Sequence, residues 1–304
     1  MRWACGVTTV LDRKDTTLPI TLRSLCDAGF GDPHLFVDGC DDASLYKEFG
    51  CPVSVRGKPP LKVVGNWMIS LWEMNVRYWQ AERFVLFQDD ILAVGNLRAY
   101  LERCEFPSKG YLNLYTFSEN RQHTENKPGW NESNQRGLGA LGLVFNWDGM
   151  TDLLSSGHMA RKPASAQRQR AWKALDGGVV DSLKLQGYKE YVHNPSLLQH
   201  IGVESSLGNR PYPGVDSFPG EEFDALKFFG GEGFAPPKPV RPRDAISVAL
   251  EATTVDPEKV YNWLGSCVPD RPRKLVRLNA WANRIIKGST ERAEEYLNQI
   301  LEDF

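Results

Sequence analysis

The sequence lacks the features that mark several common classes of protein. Its six cysteines form no CxxC pair and no closely spaced framework, so neither a zinc site nor a disulfide scaffold is indicated. The N-terminal apolar run is too short to cross a membrane, because the charged stretch Asp12–Asp15 follows it at once. No signal-peptide pattern is present. Reduced thiols without an anchor predict a cytoplasmic protein that does not contact a membrane.

Neither sign of charge is in clear excess, since the formal net charge is −2 over 304 residues. Hydrophobic residues make up 41% of the chain and charged residues 24%, which is typical of a soluble globular protein. A chain of this length can hold one large α/β domain and an appendage. No glycine-rich, lysine-bearing phosphate loop follows the first predicted strand, which counts against a nucleotidyltransferase.

The most informative stretch is Phe84–Ile91, where an apolar run ends in two adjacent aspartates. The run from Phe84 is typical of a strand buried on both faces. Such a strand has no structural use for Asp89 and Asp90 at its end, because neighbouring like charges repel unless a cation lies between them. Carboxylates at the carboxyl edge of an α/β sheet suit Mg²⁺ or Mn²⁺. Alternatively, the pair opens a turn and caps the helix expected over 95–103.

The order of the segments before the aspartate pair predicts a doubly wound sheet. Trp3–Val10 forms a first strand, a helix follows, and a short second strand over His34–Val37 ends in Asp38. The segment Asn66–Gln80 carries an apolar stripe at helical spacing and leads to the strand of the aspartate pair. Asp38 is either a simple Asx turn or a nucleotide contact at the ligand-binding edge.

Two glycine-rich or polar segments follow. Phe117–Gly137 shows no periodicity, and a loop of this length is usually a lid, a binding loop or disordered. Trp130 lies inside this loop with no obvious core to join. Leu138–Phe145 is predicted as a strand, in which Gly142 permits the close approach of a ligand or another backbone.

A late carboxylate and a late histidine complete the set of candidates. The glycine turn at 176–178 predicts a short helix with Asp181 in its first turn, a position that the helix dipole alone would favour. His200 follows in a polar loop. A lone histidine usually has no functional role. His200 is a candidate metal ligand or phosphate donor only if it lies near the aspartate pair.

The joint order of these features resembles the GT-A glycosyltransferases over Met1–Phe229. Locally, Phe87–Ile91 and Pro195–Leu207 resemble the N-acetylglucosaminyltransferases that branch N-glycans. The resemblance implies an α/β, Rossmann-like fold with a mostly parallel sheet flanked by helices. It also implies a catalytic domain over 1–229, followed by a Gly/Pro-rich linker over 230–243 and a small helical appendage over 244–304.

The resemblance also implies roles for individual residues. Asp90 would be the direct ligand of a Mn²⁺ or Mg²⁺ ion that bridges the phosphates of a UDP-sugar, with His200 at the metal or diphosphate. Asp89 would assist, and Gln88 would face the ribose, although the family usually has an acidic residue there. Asp181 would be the general base of an inverting transfer. The other candidates are Thr8, Thr9, Asp38 and Asn66 on the nucleotide side, and Trp130 and Gly142 on the acceptor side.

The acceptor is the least determined partner. A basic helical face over 273–287 is either a solvated surface or a patch that follows phosphates. The acceptor is therefore a saccharide or a hydroxylated base in DNA, which would have to be flipped out of the duplex. The sequence assigns neither the sugar nor the oligomeric state.

Taken together, the sequence predicts a metal-dependent, inverting glycosyltransferase with a UDP-sugar donor. One alternative is a non-catalytic module that binds a nucleotide sugar or glycan and keeps the fold. Another is a nucleotidyltransferase, which also uses paired carboxylates and a metal ion but releases pyrophosphate.

Overall fold

The computed structural model describes residues 1–157, 159, 171–202, 215 and 217–229. The chain divides into two units at Pro237, and all of the described residues lie in the first unit. The predicted linker over 230–243, the predicted appendage over 244–304 and the basic face within it lie outside the described residues. The Val203–Leu207 part of the local resemblance also lies outside them.

The described part of the chain contains ten strands: β1 (Trp3–Val10), β2 (His34–Asp38), β3 (Val53–Arg56), β4 (Arg83–Gln88), β5 (Ile91–Ala93), β6 (Gly110–Asn113), β7 (Gly129–Glu132), β8 (Gly142–Asn146), β9 (Lys189–Asn194) and β10 (Leu198–His200). Eight of them form one central mixed sheet in the order β3-β2-β1-β4-β8-β6-β9-β7. Only β8 and β7 run against the other six strands of this sheet. A separate two-stranded ribbon pairs β5 with β10.

Helices cover both faces of this sheet. They are α1 (Thr17–Asp27), α2 (Lys62–Arg77), α3 (Leu97–Arg103), α4 (Ser118–His123), α5 (Trp147–Ser155), α6 (Ala171–Lys184) and α7 (Ala225–Phe229). Val85 and Phe87 of β4 pack in one buried cluster with α1 and α3. Phe84 and Leu86 pack in a second cluster with α2, α5 and α6, as the two-residue period of a strand requires. The predicted α/β fold, with a mostly parallel sheet flanked by helices, is confirmed.

No helix in the described ranges combines the length and the apolar character needed to span a membrane.

Two predicted elements differ from the structure. The loop predicted over Phe117–Gly137 is wrong, because α4 and β7 lie within it. Both elements are short and polar, and β7 is an edge strand, so they give no periodic signal. The helix with Asp181 in its first turn is also wrong, because α6 begins well before the glycines and Asp181 lies in its last turn. Leu175, Val179 and Leu183 form a buried stripe that stabilises this helix despite its two internal glycines.

Hydroxyl groups of α1 complete the hydrogen bonding of the β5–β10 ribbon. The Thr21 hydroxyl donates to the Ile91 carbonyl at 2.9 Å and accepts from the Ile91 amide at 3.0 Å. The Ser24 hydroxyl accepts from the Ala93 amide at 2.9 Å. Because buried backbone groups need partners, these two side chains take the place of a neighbouring strand. They fix the short ribbon that directly follows Asp89 and Asp90.

We expect Thr21→Val to lower the free energy of unfolding by about 1–3 kcal/mol, because valine leaves the buried Ile91 amide and carbonyl unpaired. Urea denaturation followed by tryptophan fluorescence measures the effect. Thr21→Ser keeps the hydroxyl and is the matched control. An equal loss in both variants would attribute the effect to the methyl group and contradict the role of the hydroxyl.

Candidate functional site

The parallel strands β1, β2 and β4 bring polar side chains to one edge of the sheet. Thr9 lies near the end of β1 and Asp38 ends β2, while Asp89 and Asp90 directly follow β4. All four side chains are buried although they are polar, so packing of the core does not explain them. In open α/β sheets, the crevice outside the carboxyl ends of the strands is where ligands bind. This edge is therefore the candidate functional site.

An arginine lies between the two aspartates. The 3₁₀ turn Leu11–Arg13 follows β1 directly and delivers the Arg13 guanidinium to the pair. Arg13 Nη1 donates to Asp89 Oδ1 and to Asp90 Oδ2, at 2.6 Å in each case. Thr9 Oγ1 donates to the second oxygen of Asp89 at 2.5 Å. The cation that the adjacent carboxylates require is thus supplied, in this structure, by the chain itself.

The β5–β10 ribbon brings His200 to the same pair. Antiparallel pairing places His200 opposite Ile91, and its Nε2 lies 3.2 Å from Asp90 Oδ2 across 110 residues of sequence. The Ile201 amide donates to the Asp90 carbonyl at 2.9 Å. A Cβ at Gly202 would lie 2.7 Å from Asp90 Oδ2 and 2.9 Å from His200 Nε2, so only glycine fits there. His200 therefore lies beside the aspartate pair, as its candidacy as a metal ligand or phosphate donor requires.

The charges in this cluster shift one another's pKa. Burial alone would lower the pKa of Arg13, but Asp89 and Asp90 outweigh it and raise that pKa. Burial alone would raise the pKa of Asp90, but the hydrogen bond with His200 and the charge of Arg13 lower it. At Asp89 burial prevails over Arg13 and raises the pKa. Asp90 is therefore the carboxylate that stays ionised most firmly.

The donor set fits a divalent ion that is completed by a substrate. In the part of the chain that the structure describes, no three His, Cys, Asp or Glu side chains form a metal cluster, so an all-protein cage is not indicated. Asp90 Oδ1 is buried and has no hydrogen-bond partner among the described residues. Mg²⁺ usually keeps one or two carboxylates and takes its other ligands from phosphates and water. Asp90 supplies one such carboxylate, and His200 Nε2, 3.2 Å from Asp90 Oδ2, is a second candidate ligand.

Four predicted nucleotide-side residues have structural partners. Both Asp38 oxygens accept backbone amides at the start of α2, from Leu61 at 2.8 Å and Lys62 at 2.7 Å. Asn66 Nδ2 donates to the Phe36 carbonyl at 3.0 Å and is buried in α2. Thr8 Oγ1 donates to the Phe87 carbonyl at 3.2 Å. The fourth is Gln88, whose Nε2 donates to the Ala140 carbonyl at 3.0 Å.

Of the two predicted acceptor-side residues, Gly142 pairs with Phe87 close to the aspartates, whereas Trp130 lies far from them. Trp130 is in β7, four strands from β4, which is roughly 19 Å at the usual strand spacing. The expectation that Trp130 lacks a core is wrong, because its ring packs edge-on against His193 and its Nε1 donates to Cys104 Sγ at 3.3 Å. Gly142 begins β8, where a Cβ would lie 2.9 Å or less from Phe87 and Leu198. The close approach at Gly142 is thus made by core side chains.

Asp181 is exposed in the last turn of α6, whereas Asp176 of the same helix is half-buried and reaches the site's border. Asp176 Oδ2 accepts from the Gly139 amide at 3.0 Å. The segment after Gly139 continues to Leu141, whose carbonyl accepts from the Gln88 amide at 3.0 Å. Burial raises the pKa of Asp176 to about 7, and Glu190 adds to the shift, while backbone donors oppose it. Carboxylates with such a pKa are candidates for proton transfer.

Sequence reasoning missed Arg13 and Asp176. Arg13 had a signal, because it follows the first strand in the charged stretch 12–15 and parallel strands end at a common edge. Asp176 had none, because its partner lies in a segment 37 residues earlier.

No protein-family model matches this chain, and no curated protein matches it. Among solved structures it is similar to mannose-1-phosphate geranyltransferase from Thermus thermophilus, with 13% identity, a TM-score of 0.37, and coverage of 64% of this chain and 74% of that one. Mouse xyloside xylosyltransferase 1 gives 12% identity, a TM-score of 0.33, and coverage of 61% and 81%. A Bacillus anthracis protein described as a glucose-1-phosphate thymidylyltransferase, in complex with a sucrose, gives 10% identity and a TM-score of 0.33, with coverage of 67% of this chain and 92% of that one. Similarity at this level leaves the function to be inferred from the residues of the site.

Proposed function

We propose that this chain is a glycosyltransferase that uses a nucleotide sugar, with the donor diphosphate bound at the carboxyl edge of β4. The observation that carries this proposal is the meeting of Asp90 and His200 beside a buried Asp90 oxygen that has no partner among the described residues. A purely structural Asp-His pair would not need an orphaned carboxylate oxygen, which costs free energy when buried. A divalent ion from outside the chain would satisfy it.

Different residues at the carboxyl edge of the sheet would bind the metal ion and the nucleoside of the donor. Asp90 and His200 would hold Mn²⁺ or Mg²⁺, which neutralises the negative charge that develops on a leaving diphosphate. Thr9 holds Asp89 in place through its hydroxyl. Asp38 retains a free lone pair on each oxygen after accepting from Leu61 and Lys62, so it can accept the imide N–H of a uracil. A UDP-sugar is therefore the proposed donor, with Thr8, Asn66 and Gln88 in or behind the nucleoside pocket.

The second half of the proposed reaction needs a base. The acceptor hydroxyl attacks the anomeric carbon, the bond from that carbon to the diphosphate oxygen breaks, and the hydroxyl proton passes to a carboxylate. Attack on the side opposite the diphosphate inverts the anomeric centre. We assign the base to Asp176, because it borders the site through Gly139 and its pKa lies near neutrality. Asp181 is the alternative base.

The acceptor is proposed only as a class of hydroxyl compounds. A saccharide and a hydroxylated DNA base both offer such a hydroxyl. Trp130, the proposed stacking residue for a base, lies in the β7 edge strand and packs against His193. Its place therefore favours a saccharide acceptor.

A donor-hydrolysis screen tests the proposed function. The full chain is incubated with a panel of nucleotide sugars and Mn²⁺, and we expect release of UDP that increases when oligosaccharide acceptors are added. Asp90→Asn is the matched variant, because it keeps the shape of the side chain and removes the charge. We expect it to weaken Mn²⁺ binding at least about tenfold and to lower UDP release in parallel.

The same screen separates the alternatives. Pyrophosphate release from a nucleoside triphosphate and a sugar phosphate would indicate a nucleotidyltransferase. Binding of UDP and Mn²⁺ with neither hydrolysis nor transfer would indicate a non-catalytic binding module. Equal UDP release by the wild type and Asp90→Asn would contradict the assignment of Asp90.

A further inference from the structure

The Arg13 guanidinium lies between the carboxylates of Asp89 and Asp90. A single nitrogen, Nη1, lies 2.6 Å from one oxygen of each aspartate. The arginine side chain is only 17% exposed, and the two carboxylates are 5% and 3% exposed. Because solvent screens such buried charges little, this contact is strong and specific.

The same oxygen of Asp90 serves two partners. Asp90 Oδ2 accepts from Arg13 Nη1 at 2.6 Å and also lies 3.2 Å from His200 Nε2. A divalent ion held by the Asp90 carboxylate together with His200 would lie close to the positive charge of Arg13, which already contacts that carboxylate. Like charges at short distance repel. Arg13 and a divalent ion therefore compete for the Asp90 carboxylate.

The turn that carries Arg13 is less buried than the aspartates that it contacts. Arg13 ends the 3₁₀ turn Leu11–Arg13, in which no residue is buried. The turn begins without a side-chain cap, and Leu11 is 44% exposed. By contrast, Asp89 and Asp90 are held by Thr9, by the Ile201 amide and by the ribbon. If one partner of the ion pair shifts, it is the arginine.

We propose that Arg13 is a resident counter-ion that holds the aspartate pair and moves to the diphosphate when the nucleotide sugar binds. This inference rests on the proposed function for the identity of the nucleotide. A guanidinium suits both states, since it can pair with carboxylates or with phosphate oxygens in the same planar fork. Its departure leaves the whole Asp90 carboxylate, Oδ2 as well as the unpartnered Oδ1, to the divalent ion. The ion and the nucleotide consequently bind as a unit, and each binds weakly alone.

Mn²⁺ binding measured by electron paramagnetic resonance tests the proposal without any turnover. Wild type, Arg13→Gln and the control Arg77→Gln are titrated with Mn²⁺, with and without UDP. We expect Arg13→Gln to bind Mn²⁺ at least about tenfold more tightly than the wild type when UDP is absent, because the competing charge is gone. We expect UDP to increase Mn²⁺ affinity far more in the wild type than in Arg13→Gln.

The control Arg77→Gln removes the same charge as Arg13→Gln, but at a distant site. Arg77 pairs with Glu73 on the surface and lies about 22 Å along α2 from Lys62. Arg77→Gln should therefore bind Mn²⁺ as the wild type does. If Arg13→Gln does not fold, Arg13→Lys takes its place, since the lysine side chain is shorter and does not reproduce the geometry of the guanidinium. We expect it to tighten Mn²⁺ binding by a smaller factor, about threefold.

The results separate this inference from the proposed function. Equal Mn²⁺ affinity in the wild type and the folded Arg13 variant, or no Mn²⁺ binding to either, overturns the inference. If the variant binds Mn²⁺ more tightly but no nucleotide sugar is hydrolysed, the proposed function fails while the competition between Arg13 and the ion stands. If the wild type transfers sugar but the Arg13 variant binds Mn²⁺ with unchanged affinity, the proposed function stands and the competition between Arg13 and the ion fails.

Discussion

Asp176→Asn is expected to lower sugar transfer by about 10²- to 10⁴-fold, the usual contribution of a general base. Asparagine keeps an oxygen that can accept the Gly139 amide, so the border of the site stays in place. Its amide cannot take up the acceptor's proton. The loss should therefore fall on the rate of transfer, while UDP binding measured by calorimetry stays within about twofold of the wild type.

The matched control is Asp181→Asn on the same helix. Asp181 is exposed in the last turn of α6, and we expect its replacement to leave transfer near the wild-type rate. The reverse pattern would assign the base to Asp181. Loss in neither variant would show that the acceptor is activated by another group.

A second property of Asp176→Asn excludes misfolding as the cause of lost activity. Burial raises the folded-state pKa of Asp176 to about 7, above the ordinary value of 3.8. Between these two values the folded chain binds more protons than the unfolded chain, so ionisation of Asp176 lowers stability as the pH rises. We therefore expect the variant to melt at a higher temperature than the wild type at pH 8, and the difference to shrink towards pH 5.

The centre of the fold could be predicted because its signals are local. The runs that became β1, β2 and β4 are apolar and short, and polar residues follow each at the same edge of the sheet. Asp89 and Asp90 stood out for the same reason. His200 could be named but not placed, since its position depends on the pairing of β5 with β10, two strands of three residues each. Strands of that length carry almost no pattern.

The remaining errors come from interactions between distant segments. The helix signal of α6 was interrupted by Gly177 and Gly178, yet packing of Val179 and Leu183 against α2 and α5 keeps the helix continuous. Tertiary packing here overrides local propensity. Trp130 looked isolated because its partners, His193 and Cys104, lie 63 and 26 residues away along the chain. The sequence therefore could not show that Trp130 packs against a core.

Acid is expected to destabilise the chain through two buried histidines. His34 lies at the start of β2, where its Nδ1 is 2.8 Å from the Tyr78 hydroxyl and its Nε2 is 2.8 Å from the Ser54 hydroxyl. Burial lowers the pKa of His34 to about 4, since nearby Glu73 does not outweigh burial together with Arg77 and Arg56.

The second of these histidines is His193 in β9. Its Nδ1 donates to the Pro195 carbonyl at 2.7 Å, so Nε2 accepts from the Tyr100 hydroxyl at 2.9 Å. The ring of Trp130 packs edge-on against it. Burial lowers the pKa of His193 to about 4 as well, and the Pro195 carbonyl opposes this only in part. These three partners are a carbonyl, a hydroxyl and an indole ring, and none of them carries a negative charge.

The sign of the pH effect follows from these lowered values. In the unfolded chain each histidine has its ordinary pKa of 6.5. Between pH 6.5 and pH 4 the unfolded chain therefore binds more protons, and acidification favours unfolding. Each histidine should remove about 3 kcal/mol from the free energy of unfolding over this range, at 1.36 kcal/mol for each unit of pKa difference. The stability that neutral histidines contribute is fully present above pH 6.5.

Urea denaturation at intervals between pH 4 and pH 7, followed by tryptophan fluorescence, measures this loss. His193→Gln should reduce the slope of stability against pH, because glutamine keeps a polar side chain but has no proton to gain, and His34→Gln should act alike. His123→Gln replaces an exposed histidine of α4 and is the matched control. If His34→Gln and His193→Gln both keep the wild-type slope, the acid sensitivity arises from the carboxylates and this account of the two histidines is wrong.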